Sequence, residues 1–180
     1  MALIRSVKGI RPVFGKNCFL ADNATITGDV VTGDNCSIWF NAVVRGDVHS
    51  IRIGNNVNIQ DGAIIHCTYQ KAPVSIGNNV SIAHNAIIHG CTIHDNVLIG
   101  MGAIIMDGAI IHSNSIIGAG SLVKEGTVVE SGSVWAGVPA TGRVATGASS
   151  PLRVTATCAV VTPDNWPGRR TPQSRLAIGS

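Results

Sequence analysis

Aromatic residues make up only 4% of this 180-residue chain and charged residues only 13%, yet aliphatic side chains are plentiful. Scarce charge with abundant Val, Ile and Ala argues against intrinsic disorder. A core with so few rings must be assembled from many small, similar aliphatic pieces, which points to repetition. The five cysteines are odd in number and contain no CxxC pair, which fits a reducing cytoplasm better than a disulfide framework. The N-terminus lacks the apolar h-region of a signal peptide, and no window is apolar enough to span a bilayer. Cytoplasmic localisation with no membrane partner is the expectation.

The net charge of +3 arises in one segment. Residues 143–180 carry five arginines against the single acid Asp164, which leaves residues 1–142 with eight basic and nine acidic side chains. The body therefore offers no basic face for nucleic acid, and the scattered arginines read as a solvated tail.

What the chain has is a six-residue rhythm. An aliphatic or aromatic residue opens each block at Ile93, Ile99, Ile105, Ile111, Ile117, Val123, Val129 and Trp135. The pattern runs back through Ile76, Ile82 and Ile88, through Ile53, Ile59 and Ile65, and more weakly through Phe14, Leu20, Ile26, Thr32, Ile38 and Val44. The fifth position is small or β-branched, and the second is often glycine, as at Gly54, Gly77, Gly100 and Gly118. A helical reading fails because Gly, Asn and Val are too frequent and recur at six. The period predicts short strands coiled into a triangular prism, three blocks to a coil, with the opening aliphatics stacked inward and neighbouring coils ~4.8 Å apart.

The register slips at three places: a loop is expected around Thr68–Val74, Ile88 to Ile93 is a short step, and a further excursion lies between Val44 and Ile53. The rhythm ends after Val138-Pro139-Ala140. This sets a β-helix over residues 1–142 and an irregular or poorly ordered tail over 143–180.

All six histidines fall between residues 49 and 112. Wall assignment stacks Arg45, His66 and His89 in one column and Asp61 and His84 on the adjacent wall. Two imidazoles on neighbouring coils can tilt to hold one ion, since tetrahedral coordination needs nitrogens only roughly 3.3 Å apart. His84 lies around a corner and would have to join the pair from a second subunit. A plainer reading, polar ladders on a solvated wall, fits His49, His94 and His112. Cys67 reads as a packed wall thiol rather than a ligand, and Cys18 and Cys36 read as core.

The segments Arg45-Gly46-Asp47, Asn58-Ile59-Gln60-Asp61, His66, Ala83-His84-Asn85-Ala86-Ile87-Ile88-His89-Gly90, Ile99-Gly100-Met101-Gly102 and Trp135-Ala136-Gly137-Val138-Pro139-Ala140 resemble, in order, the motifs of the γ-class carbonic anhydrases. The resemblance covers roughly residues 8–142. It implies a left-handed parallel β-helix and a homotrimer with metal sites at the subunit interfaces. His66 and His89 would ligate from one subunit and His84 from the next, the ion being zinc, with Fe2+ or Co2+ also compatible. Gln60 would hydrogen-bond hydroxide or bicarbonate at the metal, and Arg45 and Asp61 would pair across the interface with Asp47 in support. The implied reaction is the reversible hydration of carbon dioxide to bicarbonate.

Three departures stand out. Val48 replaces the glutamate that follows the RxD segment in the archetype, and the Thr68–Val74 loop carries no carboxylate. The tail also offers neither an amphipathic helix nor a tyrosine; Tyr69 is the only one in the chain. The competing readings are an acyl-CoA thioesterase-like hydrolase, a hexapeptide acyltransferase and a non-catalytic assembly subunit that keeps the metal.

Overall fold

The computed structural model describes residues 1–144. The tail expectation, apart from its first two residues, lies outside the described residues. The described chain is all-β, a left-handed parallel β-helix of hexapeptide repeats with three walls. One wall is an eight-stranded sheet. It stacks Phe19–Leu20, Ser37–Ile38, Asn58–Ile59, Ser81–Ile82, Leu98–Ile99, Ile116–Ile117 and Ser133–Gly137, closed by Ala140–Val144. The other two walls are joined into one eleven-stranded sheet.

The register follows the columns read from the repeat. Val44 pairs with Ile65, Ile65 with Ile88, Ile88 with Ile105 and Ile105 with Val123. The next wall stacks Ile38, Ile59, Ile82, Ile99, Ile117 and Trp135 in the same way. Most of the opening isoleucines from Ile26 to Ile117, with Ile51 beside them, are the largest fully buried side chains, and the openers Ile53 and Ile76 are nearly so. Each such burial contributes about 1.5–3 kcal/mol over exposure, so the inward columns are the main source of cohesion.

The corners obey a second rule. The fourth residue of a block turns with positive φ, and it is Asn at 17, 35, 41, 56, 79, 85, 96 and 114 and Gly at 62, 102, 108, 120, 126 and 132. Only Gly, and Asn with its short polar side chain, visit this region at low cost. At one corner the asparagines form a ladder, each side-chain amide donating to the next carbonyl oxygen from Asn17 through Asn35, Asn56, Asn79 and Asn96 to Asn114, at 3.0–3.3 Å.

The excursion expected between Val44 and Ile53 takes the form of a bulge: Val43–Ile53 is one strand that crosses from the site wall to the next, and residues 47–50 within it stand against Asp29 alone. It pairs along Thr25–Thr32 with a register shift between Gly28 and Val30, which absorbs the additional residues without a loop. The parallel six-residue repeat ends where expected, after the block opened by Trp135. Ala140–Val144 folds back antiparallel on Ser133–Gly137, pairing Arg143 with Val134 and Val144 with Ser133. The loop after Cys67 is present as a tight turn closed by a Thr68–Ala72 bridge, with Tyr69 exposed.

The corner rule can be measured. Asn79 has φ 55°, and an ordinary L-residue pays about 1–2 kcal/mol there. Asn79→Ala should lower unfolding stability in urea by about that amount, and Asn79→Gly by less than half as much. Equal losses would assign the effect to the ladder hydrogen bonds instead of the backbone angle.

Candidate functional site

His66 ends the strand Ile64–His66 and His89 ends Ile87–His89, in direct register one coil apart. Both follow an inward isoleucine, so strand alternation turns them outward on one wall. Their rings meet edge to face with centroids 5.2 Å apart, and His66 Nδ1 lies 3.2 Å from His89 Nε2.

The other nitrogen of each ring faces a carboxylate. His66 Nε2–H donates to Asp47 Oδ1 at 3.1 Å, and His89 Nδ1–H donates to Asp107 Oδ1 at 2.5 Å. Ionised carboxylates only accept, so both outer nitrogens carry the hydrogen. In the neutral rings the two facing nitrogens then both present lone pairs. Lone pairs 3.2 Å apart repel unless a cation lies between them, and the spacing matches the roughly 3.3 Å edge of a tetrahedral nitrogen site.

The electrostatics suit this arrangement. Partial burial lowers the His66 pKa, with the Arg45 and His89 charges acting in the same direction, against the Asp47 hydrogen bond. The ring is thereby held in its neutral form. Desolvation raises Asp47, but hydrogen bonds from Arg45 and His66 and the Arg45 charge outweigh it and leave the carboxyl below its ordinary range. Asp107 shows the same balance: desolvation is outweighed by hydrogen bonds from Thr68 and His89, and its pKa is lowered. Thr68 Oγ1 donates to Asp107 Oδ2 at 2.5 Å, tying the turn after Cys67 to the site.

Asp107 is the residue that the sequence reading missed. It stands one coil beyond His89 and one position further along its block, so column assignment alone does not align the two. Gly90 makes the diagonal reach possible: a Cβ there would meet Asp107 Oδ1 at 2.5 Å and the Ala72 Cβ at 2.8 Å. A glycine directly after the second histidine was the available signal.

The remaining candidates lie apart. Gln60, Asp61 and His84 occupy the eight-stranded wall, around the corner from His66 and His89. Asp61 Oδ2 is 3.1 Å from His84 Nδ1, and both side chains are nearly half exposed. Arg45 pairs within the chain with Asp47, NH1 to Oδ2 at 2.7 Å. The structure thus gathers Arg45, Asp47, His66, His89 and Asp107 in one group and Asp61 and His84 in another. Among the described residues of a single chain, no three His, Cys, Asp or Glu side chains converge to hold a metal ion.

The residues read as bland remain apart from this geometry. His94 and His112 stack face to face at 5.0 Å with planes 10° apart, so the rings present no closely converging pair of nitrogens. Cys67 is buried, and desolvation pushes its thiol up to about 11. His49 lines a cleft of about 400 Å³ beside Asp47. Cys36 is core as expected, but Cys18 is only partly buried.

Comparison with known proteins agrees with the fold. Residues 90–125 match the family "Bacterial transferase hexapeptide (six repeats)". The solved structure of a hexapeptide transferase family protein from Anaplasma phagocytophilum superposes with a TM-score of 0.80 and 38% identity, over 87% of this chain and 92% of that one. The chain belongs to the hexapeptide-repeat family. Its curated relatives include a carbonic anhydrase of Geobacillus kaustophilus, 46% identical over 58% of this chain and 57% of its own length. Gamma carbonic anhydrase 1, mitochondrial, of Arabidopsis thaliana is 41% identical over 72% of this chain and 49% of its own. The matches therefore span about half or somewhat more of these curated relatives. The γ-class resemblance carried by the motifs is the one these relatives bear out.

The two carboxylates should be felt at the imidazoles. Removing a carboxylate that orients a ligating histidine typically costs 10–100-fold in metal affinity. Asp107→Ala and Asp47→Ala should each weaken zinc binding by about that factor in competition with a chromogenic chelator. Wild-type affinity in Asp107→Ala would show that the carboxylate does not orient His89.

Proposed function

We propose that this protein is a γ-class carbonic anhydrase-like metalloenzyme that hydrates carbon dioxide reversibly to bicarbonate. The observation that carries the reading is the pair of bare nitrogens, His66 Nδ1 and His89 Nε2, facing each other at 3.2 Å with a carboxylate behind each ring. A transition metal fits this donor set: zinc foremost, with Fe2+ or Co2+ accommodated by the same imidazoles. His84 would supply the third nitrogen from a neighbouring subunit, its Nδ1 already held by Asp61 on a half-exposed side chain.

A trimer is supported by the surface around the site. Ile64 and Ile104 expose 41% and 36% of their area on the wall that bears His66 and His89, and Met101 exposes 57% on the His84 wall. Large apolar side chains concentrated beside an incomplete polar site are what a subunit partner covers.

When bound, the metal acts as a Lewis acid that makes water a nucleophile near neutral pH. The chain's own residues do the rest. Asp47 and Asp107 fix the tautomer and tilt of the two imidazoles. Arg45 holds Asp47 in place and ionised. Gln60, on the wall of His84, would orient hydroxide or bicarbonate through its amide, and Asp61 would meet Arg45 of the adjoining subunit. Val48 offers no group to carry protons away, so proton export falls to buffer or to groups further out.

A second reading, acyl transfer, is favoured by the name of the solved hexapeptide transferase relative. It differs in needing no metal, so activity toward an acyl-CoA in metal-stripped protein, with no hydration in the loaded protein, would select it.

The purified protein should carry roughly one transition metal per subunit. His66→Ala, His84→Ala and His89→Ala should each lose it, while His94→Ala and His112→Ala should keep it. Unfolding His66→Ala with His84→Ala and refolding them together should restore about a quarter of the wild-type metal and hydration, by counting interfaces over a cyclic trimer. A His66→Ala and His89→Ala mixture should restore none. Recovery in that control, or none in the first mixture despite verified mixed trimers, would refute the shared site.

A further inference from the structure

The fifth, inward position of the blocks holds small residues along the prism: Val57, Val80, Val97, Ser115 and Ser133 on one column. At the N-terminal end of that column stand two thiols, Cys18 and Cys36. They are direct neighbours across one ladder, immediately before the paired residues Phe19 and Ser37. Phe19 N–H donates to Cys36 O at 2.8 Å, and Asn35 N–H donates to Lys16 O at 2.8 Å, so the backbone is clamped on both sides of the pair. Adjacent parallel strands place such residues ~4.8 Å apart, within the Cα range a disulfide spans. Both side chains are in the reduced form in this structure.

We propose that Cys18 and Cys36 form a reversible oxidation site that closes to a disulfide, stitching the first coil to the second, when the protein meets a peroxide. The Cys18 thiolate attacks one peroxide oxygen, the O–O bond breaks, and hydroxide leaves and is protonated. The Cys36 thiolate then attacks the Cys18 sulfur, the S–O bond breaks, and water leaves with the thiol proton. The two thiols are oxidised by two electrons, and one hydrogen peroxide becomes two waters.

The two sulfurs differ in a way that suits these roles. Cys18 lies at the open end of the prism and is partly accessible, whereas Cys36 is buried beneath it. The hydrogen bond from Cys36 lowers the Cys18 thiol to about 6, against the opposing effect of burial. A thiolate at neutral pH that solvent can reach, next to a second thiol, has the character of a reactive cysteine and its resolving partner. Cys67 and Cys91 show the reverse: both are buried, and desolvation pushes them up to about 11 and about 12. They serve as internal controls. A disulfide straight across a parallel ladder must draw the two coils slightly together, and strained bridges are the readily reduced ones.

The test uses the full chain, reduced, freed of reductant and treated with hydrogen peroxide. Cleavage before aspartates separates the two cysteines, into residues 1–21 and 34–46. Mass spectrometry without reductant should find these two peptides joined, and dithiothreitol should release them. Free thiols should fall by two from the total of five. Cys36→Ala should abolish the joined peptide and slow alkylation of Cys18 at pH 7 by about ten-fold, because the thiolate loses its donor, whereas Cys36→Ser, which keeps a donor, should abolish the joined peptide but leave Cys18 reactive. Separate oxidation of Cys18 with Cys36 left free would overturn the proposal, as would Cys18 joined to Cys67, Cys91 or Cys158. An alkylation rate unchanged in Cys36→Ala would also overturn it.

Discussion

A residue that can turn left, once every six, is the constraint on which the prism depends. Strands of two or three residues hold little structure of their own, and they stack only if each corner redirects the chain by the same amount. Asn and Gly at the fourth position provide that turn, and at one corner the asparagine ladder binds each coil to the next. The inward isoleucines contribute most of the burial energy, but they can stack only because the corners keep every coil in step. Hydrophobic columns and polar corners are thus two expressions of a single period.

The site lies where the corner rule fails. Two corners are regular over most of the prism. The third, leading from the His66 wall to the next, is interrupted by the bent strand Val43–Ile53, by the Thr68–Ala72 turn and by the short step at Gly90. These irregularities bring Asp47, Thr68 and Asp107 across the coils to the imidazoles; a perfectly regular wall would leave the histidines as solvated rungs, as His94 and His112 are. The carboxylates reach the pair from opposite sides, Asp47 from the coil before His66 and Asp107 from the coil after His89. The result is symmetrical about the gap between the rings.

Much of this was legible in the residues. The aliphatic openers fixed the walls, and with them the stacking of His66 on His89 and the placement of Asp61 and His84 together on another wall. The corner asparagines were less legible, because a reading led by hydrophobic period treats polar residues as filler. The excursion in the 44–53 segment was legible from the additional residues in the repeat, but not its form, because a bulge in a strand that bends between walls takes them up as well as a loop does. Asp107 stayed hidden because its contact is diagonal, and the short step between Ile88 and Ile93 disturbs the count between the two positions. Cys18 looked like core by its place in the repeat; its partial exposure follows from lying in the first coil, where no further coil of the described residues covers the column.

The hairpin that ends the described chain bears on how long such a stack can grow. A parallel β-helix is an open-ended object, and each terminal coil is a template for another of the same polarity. Here Ala140–Val144 runs against the direction of Ser133–Gly137. Among the described residues, the outermost rung of that wall therefore offers the wrong polarity to an incoming parallel coil, and one reversal of chain direction is enough to deny a second molecule a parallel register there.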